Sequence, residues 1–159
     1  MTEKGDSWIL VLDDDPIVTR TMQILLGEEA SLNVATFNHP SDALASLDDR
    51  EYEVVVSDFV MPGMDGIEFL KRVREQQPST SRILLTGYAD KQNAIRAINE
   101  AGLYYYFEKP WDNEKLVMVL HNAVERARLV RELDSKMAEL VHRDNSLEEL
   151  RARLLKAIL

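Results

Sequence analysis

Five short runs of aliphatic and aromatic residues recur along the first two thirds of the chain, and amphipathic stretches separate them. The middle runs are almost unbroken in Val, Ile and Leu, which is typical of strands buried on both faces of a sheet. Strands that alternate with helices form βαβ units, so the pattern predicts an α/β fold: a doubly wound (βα)5 domain with a five-stranded parallel sheet. The predicted strands are 8–12, 33–37, 53–57, 82–86 and 104–108; the predicted helices are 16–28, 40–48, 65–76, 90–101 and one long helix from about 112.

Composition narrows the classes of function. The chain has 159 residues, 45% apolar and 30% charged, so it can bury a core. It contains no cysteine, which excludes disulfides, zinc–thiolate sites and cysteine nucleophiles. Residues 1–7 form a polar N-terminal tail, and no apolar run approaches the roughly 18 residues that a membrane span needs. We therefore expect a cytoplasmic protein without membrane contact.

The net charge of −9 is unevenly distributed. Residues 112–159 hold nine acidic and nine basic side chains, so the excess of negative charge lies entirely in residues 1–111. A surface of that sign repels a phosphate backbone. We expect no direct nucleic-acid binding by this chain.

Polar side chains stand at the carboxyl ends of the predicted strands, where open parallel sheets bind ligands. In chain order they are Asp13, Asp14, Asp15, Asp58, Thr86 and Lys109. Two unit charges about 4 Å apart repel by roughly 4 kcal/mol at an effective dielectric constant near 20, so clustered carboxylates require a proton or a cation.

Oxygen ligands of high negative charge suit Mg²⁺, and ammonium and hydroxyl groups suit phosphoryl oxygens. Together these side chains have the composition of a phosphoryl-transfer site. Taken singly, each of them also fits a cap or a turn at a strand end.

Four segments resemble the receiver domains of two-component response regulators, in the order and at the spacing of that family. They are LDDDP (12–16), SDFVMPGMDG (57–66), LLTGYA (84–89) and YFEKPW (106–111). The resemblance covers residues 8–125 and implies a flavodoxin-like receiver domain. It also implies that Asp58 accepts a phosphoryl group from a histidine kinase or a phosphotransfer protein.

The resemblance implies further roles at the same sheet edge. Mg²⁺ would be held by Asp13, Asp14, Asp58 and the backbone carbonyl of Val60. Phosphoryl oxygens would be bound by Thr86 and Lys109.

Three further positions match family positions that tune the response. Tyr106 matches the switch aromatic, whose ring is expected to rotate inward when Thr86 moves toward a phosphoryl group. Val60 and Tyr88 match positions that set the dephosphorylation rate. Because neither side chain orients a hydrolytic water well, we expect a long-lived phosphoaspartate. The alternatives are that Tyr106 is simply part of an aromatic strand and that Tyr88 packs on the surface.

Two prolines carry local predictions. Asp15 stands directly before Pro16, the arrangement of an N-cap followed by a proline at the first helical position, so Asp15 is expected to start a helix rather than bind metal. The family usually has a cis peptide bond after its lysine, so we expect one between Lys109 and Pro110. Pro110 also suits the start of the last helix.

A phosphatase of the haloacid-dehalogenase type is the rival interpretation. Asp13 and Asp15 reproduce its D-x-D motif, with Asp13 as the nucleophile, and Thr86 and Lys109 would serve as its threonine and lysine. That family also needs an acidic pair on a strand after the lysine, and nothing after Lys109 reads as a strand. The interpretation also leaves Asp58 without a role.

Beyond residue 112 the sequence contains no Pro or Gly and predicts one unbroken helix. A heptad pattern runs through residues 126–159, which we expect to be a coiled-coil linker or a dimerisation segment. The predicted contacts of a parallel homodimer are Val130, Leu133, Met137, Leu140, Leu147 and Leu154. Asp144 and Arg151 fall at a positions, where they weaken the coil or set its register, and Arg143 would face Glu148 of the second chain. The alternative is that this helix folds back on its own domain.

No helix-turn-helix, nucleotide-binding loop or catalytic signature follows the predicted receiver domain, so we expect the chain not to be an enzyme. Two hypotheses for its output remain. In the first, phosphorylation of Asp58 changes the packing or dimerisation of the C-terminal helix to control an output domain of a longer chain. In the second, the chain is an adaptor whose dimeric coil binds a partner directly.

Overall fold

The computed structural model describes residues 5–87, 91–142 and 146–159. A five-stranded parallel sheet with the order β2-β1-β3-β4-β5 forms its centre, so the predicted fold class is confirmed. The strands are β1 (Trp8–Leu12), β2 (Asn33–Phe37), β3 (Val54–Asp58), β4 (Ser81–Thr86) and β5 (Tyr105–Glu108). The helices are α1 (Pro16–Ile24), α2 (Pro40–Ser46), α3 (Gly66–Gln76), α4 (Lys91–Ala101), α5 (Asn113–Val141) and α6 (Ser146–Ile158).

Predicted boundaries differ from the observed ones by small amounts. β4 and β5 differ by one residue at their first residue, and β3 shifts by one residue at both ends, so that Asp58 is its last residue. The first helix was predicted to reach residue 28, but regular α-helix ends at Ile24 and a π-helical turn, Leu25–Glu29, follows. This turn buries Leu25 and Leu26 in the core cluster that includes α1 and α5.

The two faces of the sheet are covered by different helices. On β1, Ile9 and Val11 pack in the cluster that includes α1 and α5. Leu10 and Leu12 pack in the cluster that includes α2, α3 and α4. Successive side chains of a strand point to opposite faces, so a strand covered on both faces needs an unbroken aliphatic run. The sequence of β1 has that run because both of its faces are buried.

The predicted features around Asp15 and Lys109 are both present. The Asp15 carboxylate accepts a hydrogen bond from the Ile17 backbone N–H at 2.9 Å, and Pro16 is the first residue of α1. The peptide bond between Lys109 and Pro110 is cis.

The prediction of one unbroken helix beyond residue 112 is wrong. α5 ends at Val141 and α6 begins at Ser146. Asp134 pairs with Arg151 at 2.7 Å, and Arg126 donates to the backbone carbonyl of Ile158 at 2.9 Å, so α6 runs antiparallel along α5. A straight single helix leaves its apolar stripe in water, whereas this helical hairpin covers part of the stripe within one chain.

The predicted dimer contacts have unequal exposure in the hairpin. Val130 is buried and Met137 is half-buried, whereas Leu133, Leu140 and Leu154 are exposed. The side chain of Leu147 and the predicted heptad positions at residues 143 and 144 lie outside the described part of the molecule. A parallel coiled-coil dimer therefore stays a prediction. None of the helices in the described ranges is long and apolar enough to cross a membrane.

Candidate functional site

Four neighbouring strands bring the predicted site residues to one edge of the sheet. In the strand register, Leu12 of β1 lies beside Ser57 of β3, so Asp13 and Asp58 follow at adjacent strand ends. Thr86 is the last residue of β4 and lies beside Glu108 of β5, directly before Lys109. The sheet order therefore brings together side chains that are far apart in the sequence.

Three carboxylates form the centre of the site. Asp13, Asp14 and Asp58 each offer one oxygen, and these oxygens lie within 4.8 Å of one another. Asp13 is fully buried, Asp58 is buried and Asp14 is exposed. Asp13 also accepts a hydrogen bond from the Asp15 backbone N–H at 2.9 Å, which orients its carboxylate.

Lys109 bridges two of these carboxylates. Its ammonium Nζ lies 2.8 Å from Asp13 Oδ2 and 3.1 Å from Asp58 Oδ1. Burial acts against the charged ammonium, but its hydrogen bonds to Asp13 and Asp58 outweigh burial and raise the pKa of Lys109. One ammonium thus partly neutralises a group of three acids.

Burial raises the pKa of Asp58 above its usual value. The hydrogen bond from Lys109 opposes this effect, and the nearby charge of Asp13 adds to it. A positive charge bound near Asp58, or a covalent change of its carboxylate, therefore reduces the electrostatic repulsion among the three acids.

The donor set fits a hard divalent cation. The three carboxylates supply oxygen ligands only, with high negative charge and with one exposed member, Asp14, open to water. Mg²⁺ prefers such ligands and retains several waters, which leaves positions for phosphoryl oxygens. The residues present therefore fit Mg²⁺.

A cleft of about 390 Å³ opens beside Asp58. Its lining residues are Asp58, Phe59, Val60, Thr86, Gly87, Asn93 and Lys109. Thr86 is buried, whereas the Val60 side chain is 72% exposed and lies at the mouth. Tyr88, the other predicted tuning position, lies outside the described residues. Asn93, in α4, is a lining residue that sequence reasoning missed.

Gly66 was also missed as a site residue. Its backbone N–H donates to the Phe59 carbonyl at 2.8 Å, and a Cβ atom at this position would lie 2.0 Å from the Asp58 carbonyl oxygen. No side chain fits between α3 and the end of β3. Asp65 caps α3 by accepting from the Glu68 N–H at 2.8 Å, so the pattern D-G-x-E after a strand was an available signal.

Asn38 supports the loop that carries the acids. Its amide donates to the Asp13 carbonyl at 2.9 Å and to Thr19 Oγ1 at 3.0 Å. The contact ties the end of β2 to the β1–α1 loop. No local motif marks Asn38, because its partner is 25 residues away in the sequence.

Tyr106 lies on the face of the sheet covered by α3 and α4. It is half-buried, pairs in register with Leu84 of β4 and packs with the cluster on that face. Tyr104 and Tyr105 pack with the opposite cluster, so they contribute to the core on the other face of the sheet. Leu84 and Thr86 are two residues apart on one strand, so Tyr106 lies on the same face as Thr86.

Comparisons with known proteins agree with this geometry. A family model described as the response regulator receiver domain matches residues 9–121. The hydrogenase transcriptional regulatory protein HoxA of Cupriavidus necator is 38% identical over 117 residues, which cover 74% of this chain and 24% of HoxA. The chain thus spans about a quarter of the length of that relative.

Two further relatives extend the comparison. The transcriptional regulatory protein FixJ of Bradyrhizobium diazoefficiens is 30% identical over 159 residues, which are 100% of this chain and 76% of FixJ. The signal receiver domain of an HD domain-containing protein from Pseudomonas fluorescens Pf-5 has a TM-score of 0.74 and 35% identity, covering 78% of this chain and 98% of that domain. On the combined sequence and structural match, this chain belongs to the response regulator receiver domain family.

Proposed function

We propose that Asp58 accepts a phosphoryl group from a histidine kinase or a phosphotransfer protein. The observation that carries the proposal is the group of three carboxylates within 4.8 Å, bridged by one ammonium, at the mouth of a cleft. A carboxylate oxygen of Asp58 attacks phosphorus, the phosphorus–nitrogen bond of the donor's phosphohistidine breaks, and the imidazole leaves with the bonding electron pair and takes up a proton.

Each neighbouring group has a role in that transfer. Asp13, Asp14, Asp58 and the Val60 carbonyl would hold Mg²⁺, which supplies positive charge to the transferring phosphoryl group. The Lys109 ammonium, already directed at Asp58, pairs with a phosphoryl oxygen. The Thr86 hydroxyl donates to another of these oxygens.

Phosphorylation then changes a surface. As Thr86 moves toward the phosphoryl group, the ring of Tyr106 turns inward on the same face of the sheet. The half-buried position of Tyr106 beside β4 supports this role, because a modest rotation changes its exposure. The change reaches the surface formed by α4, β5 and α5.

The phosphoaspartate is long-lived in this proposal. The apolar, exposed Val60 side chain at the mouth of the cleft shields the phosphoryl group and offers no polar atom to orient a water. An isolated phosphoprotein that loses its phosphoryl group within seconds would contradict this part.

The wider assignments follow from the same proposal. Residues 8–125 form the receiver domain, and residues 126–159 form the segment that transmits the change, by a parallel homodimer or by altered helix packing. Any catalytic output lies outside this chain, which takes part only in its own phosphorylation and dephosphorylation. We place it in the cytoplasm with a histidine kinase as partner and without direct nucleic-acid contact.

The adaptor remains the second candidate for the output, and one observation favours it. Exposed leucines on both α5 and α6, Leu140 and Leu150 among them, offer an apolar surface to a partner. The phosphatase alternative is weakened by the full burial of Asp13, which does not line the cleft.

The test is phosphorylation by acetyl phosphate with Mg²⁺, followed by intact mass and by light scattering for oligomeric state. Wild type is expected to gain one phosphoryl group, and Asp58→Asn to gain at least 100-fold less. Asp58→Asn also tests the phosphatase alternative, because a phosphoenzyme on Asp13 would leave that variant fully labelled. Undiminished labelling of Asp58→Asn would overturn the proposal.

A further inference from the structure

Hydrogen bonds hold both the main chain and the side chain of Asp13, the fully buried acid of the candidate site. Its backbone N–H donates to the Phe37 carbonyl at 3.1 Å, and its backbone carbonyl accepts from Asn38 Nδ2 at 2.9 Å. Its carboxylate accepts from the Asp15 N–H at 2.9 Å and from Lys109 Nζ at 2.8 Å. The position and the direction of this carboxylate are therefore determined by different partners.

The partners of the carboxylate are less rigid than the partners of the main chain. Asp15 lies in the same loop as Asp13 and moves with it. Lys109 has a long, flexible stem, and in the proposed function it pairs with a phosphoryl oxygen. Phe37 is the last residue of β2 and Asn38 follows it directly, so both are positioned by the sheet. The main-chain contacts thus tie Asp13 to a rigid element.

The contact from Asn38 acts on two acids of the site at once. The Asp13 carbonyl belongs to the peptide unit that joins Asp13 to Asp14, and a peptide unit is planar. Holding its oxygen therefore fixes the plane from which the Cα atoms of both acids extend. Carboxylate oxygens of these two acids and of Asp58 lie within 4.8 Å of one another. A rotation of this peptide unit would change that spacing.

The Asn38 amide is itself held in one orientation. The same Nδ2 also donates to Thr19 Oγ1 at 3.0 Å, and the Thr19 hydroxyl donates to the Pro16 carbonyl at 3.1 Å. Thr19 is a buried residue of α1, and Pro16 is the first residue of that helix. These contacts therefore close the β1–α1 loop from Asp13 to Pro16.

Fixed spacing of the ligands matters for the choice of cation. Mg²⁺ needs near-ideal octahedral geometry with oxygen ligands at about 2.0–2.1 Å, whereas Ca²⁺ accepts variable geometry at about 2.3–2.6 Å. Ligands that are free to move apart adapt to the larger ion, and ligands held in place do not. Groups that hold metal ligands in position typically contribute about 10–100-fold in affinity. A held Asp13–Asp14 peptide unit therefore favours the smaller ion.

We propose that Asn38 is a positioning residue that selects Mg²⁺ over Ca²⁺ by holding the peptide unit between Asp13 and Asp14. The inference rests on the proposed function, which takes these acids as ligands of Mg²⁺. It adds a residue outside the β1–α1 loop and a discrimination between two hard cations. Loss of the Asn38 amide therefore changes ion binding although every carboxylate is retained.

Asn38→Ala removes the donor. Asn38 is half-buried and borders an open groove along α1, so water can reach the Asp13 carbonyl in this variant. Water satisfies the acceptor without fixing its direction, and we expect the melting temperature to fall by only a few degrees. The matched control is Asn33→Ala at the opposite end of β2, where the amide donates to the Ser7 carbonyl at 3.1 Å.

NMR titration of backbone amide signals with MgCl₂ and with CaCl₂ measures both dissociation constants in the unphosphorylated chain. In Asn38→Ala we expect the constant for Mg²⁺ to rise at least about tenfold and that for Ca²⁺ by less than about threefold. The ratio of the two constants thus shifts toward Ca²⁺. Asn33→Ala should keep the wild-type constants for both ions. An unchanged ratio in Asn38→Ala, or an equal shift in Asn33→Ala, would overturn the proposal.

Asn38→Asp tests the same contact should Asn38→Ala unfold. It keeps the shape of the side chain and removes the donor. Its added charge attracts both ions, so only the ratio of the two dissociation constants is compared. We expect this ratio to shift toward Ca²⁺, and an unchanged ratio would contradict the role of the amide.

Thr19→Val separates the Asp13 carbonyl from general support of the loop. It removes the hydroxyl to which Asn38 also donates and leaves the hydrogen bond to Asp13 available. We expect a lower melting temperature and a ratio of dissociation constants close to that of wild type. A ratio that shifts as far as in Asn38→Ala would overturn the role assigned to the Asp13 carbonyl.

Labelling of Asp58 separates this inference from the proposed function. Wild type that takes a phosphoryl group from acetyl phosphate, together with an unchanged ratio in Asn38→Ala, overturns the positioning role and leaves the role of Asp58 standing. A shifted ratio in Asn38→Ala, in a chain whose Asp58 takes no label, supports the positioning role and overturns the role of Asp58.

Discussion

The two edges of the sheet carry opposite charge and neutralise it by different means. At the carboxyl edge, Asp13 and Asp58 share the single ammonium of Lys109, so negative charge remains in excess. At the opposite edge, Arg82 donates to the backbone carbonyls of Ala101 and Thr80. In the proposed function a cation from solution balances the acidic edge, whereas Arg82 at the basic edge is paired by the fold itself.

Loss of the buried cation at the basic edge is expected to have the largest effect on stability. Arg82→Met leaves the Ala101 and Thr80 carbonyls without their donor, and buried acceptors left unpaired cost about 1–3 kcal/mol each. We expect the free energy of unfolding to fall by about 4 kcal/mol in urea denaturation. The exposed Arg72→Met is the control, expected within about 0.5 kcal/mol of wild type. A loss below about 1 kcal/mol for Arg82→Met would contradict this comparison, because the hydrogen bonds from Arg82 to backbone carbonyls would then contribute little to the stability of the basic edge.

The tightness of the acidic edge is tested at Gly66. A Cβ atom there meets the Asp58 carbonyl oxygen at 2.0 Å and Leu84 Cδ1 at 3.0 Å, so the backbone of α3 or β3 must move. We expect Gly66→Ala to lower the free energy of unfolding by about 3 kcal/mol, the upper part of the range for overpacking. In Gly87→Ala, where nothing lies within 4 Å of the added atom, stability is expected to stay near wild type. Equal effects at the two glycines would mean that the edge relaxes around the added methyl group.

Mg²⁺ tests whether the acidic edge is completed from solution. At ten times its dissociation constant, Mg²⁺ is expected to raise the free energy of unfolding of wild type by about 1.4 kcal/mol. Asp14→Asn should lose most of this gain because a ligand is removed. Asp15→Asn should keep it, since Asp15 caps α1 and asparagine caps as well as aspartate. Thermal unfolding with and without EDTA measures the gain in each variant. If Asp15→Asn also loses the gain, the assignment of Asp14 to metal binding and of Asp15 to helix capping alone is wrong.

The smallest expected effect is the pH dependence of the acidic edge without metal. The folded-state pKa of Asp58 is raised, so Asp58 favours the folded state below its unfolded pKa near 3.8, and this contribution is lost as pH rises through the folded pKa. Relative to Asp58→Asn, wild type should therefore lose stability as pH rises from about 3.8 toward neutrality. The slope cannot exceed about 1.4 kcal/mol per pH unit, the limit for one proton. Denaturation in EDTA across this range measures it, and a constant difference between the two proteins would contradict it.

Sequence reasoning located the acidic edge because local chemistry marks it. Asp13 and Asp58 each end or follow a run of aliphatic residues, and parallel strands bring such positions together. Sequence reasoning did not predict Gly66 and Asn38 as residues of the site, for a different reason. Their importance lies in distances to the Asp58 and Asp13 carbonyls, which exist only after the elements pack.

The C-terminal segment shows the limit of pattern reasoning most clearly. The heptad stripe that starts at Val130 indicated an apolar surface that needs a partner; sequence reasoning preferred a second chain and left open that the helix folds back on its own domain. In the structure, α6 lies along α5 with Arg151 paired to Asp134, while the dimer stays a prediction. A stripe of apolar residues specifies that a surface must be covered, and it carries no information on what covers it.

The alternation of strands and helices, the fold class and the acidic character of the candidate site were predictable from the sequence, because periodicity and strand-end side chains are local properties. Three features follow from tertiary packing: the sharing of Lys109 between Asp13 and Asp58, the clearance at Gly66 and the antiparallel return of α6. The physical reason is that each of these depends on distances between segments remote in the chain. Such distances follow from packing, and packing decides which of several chemically suitable partners a side chain meets.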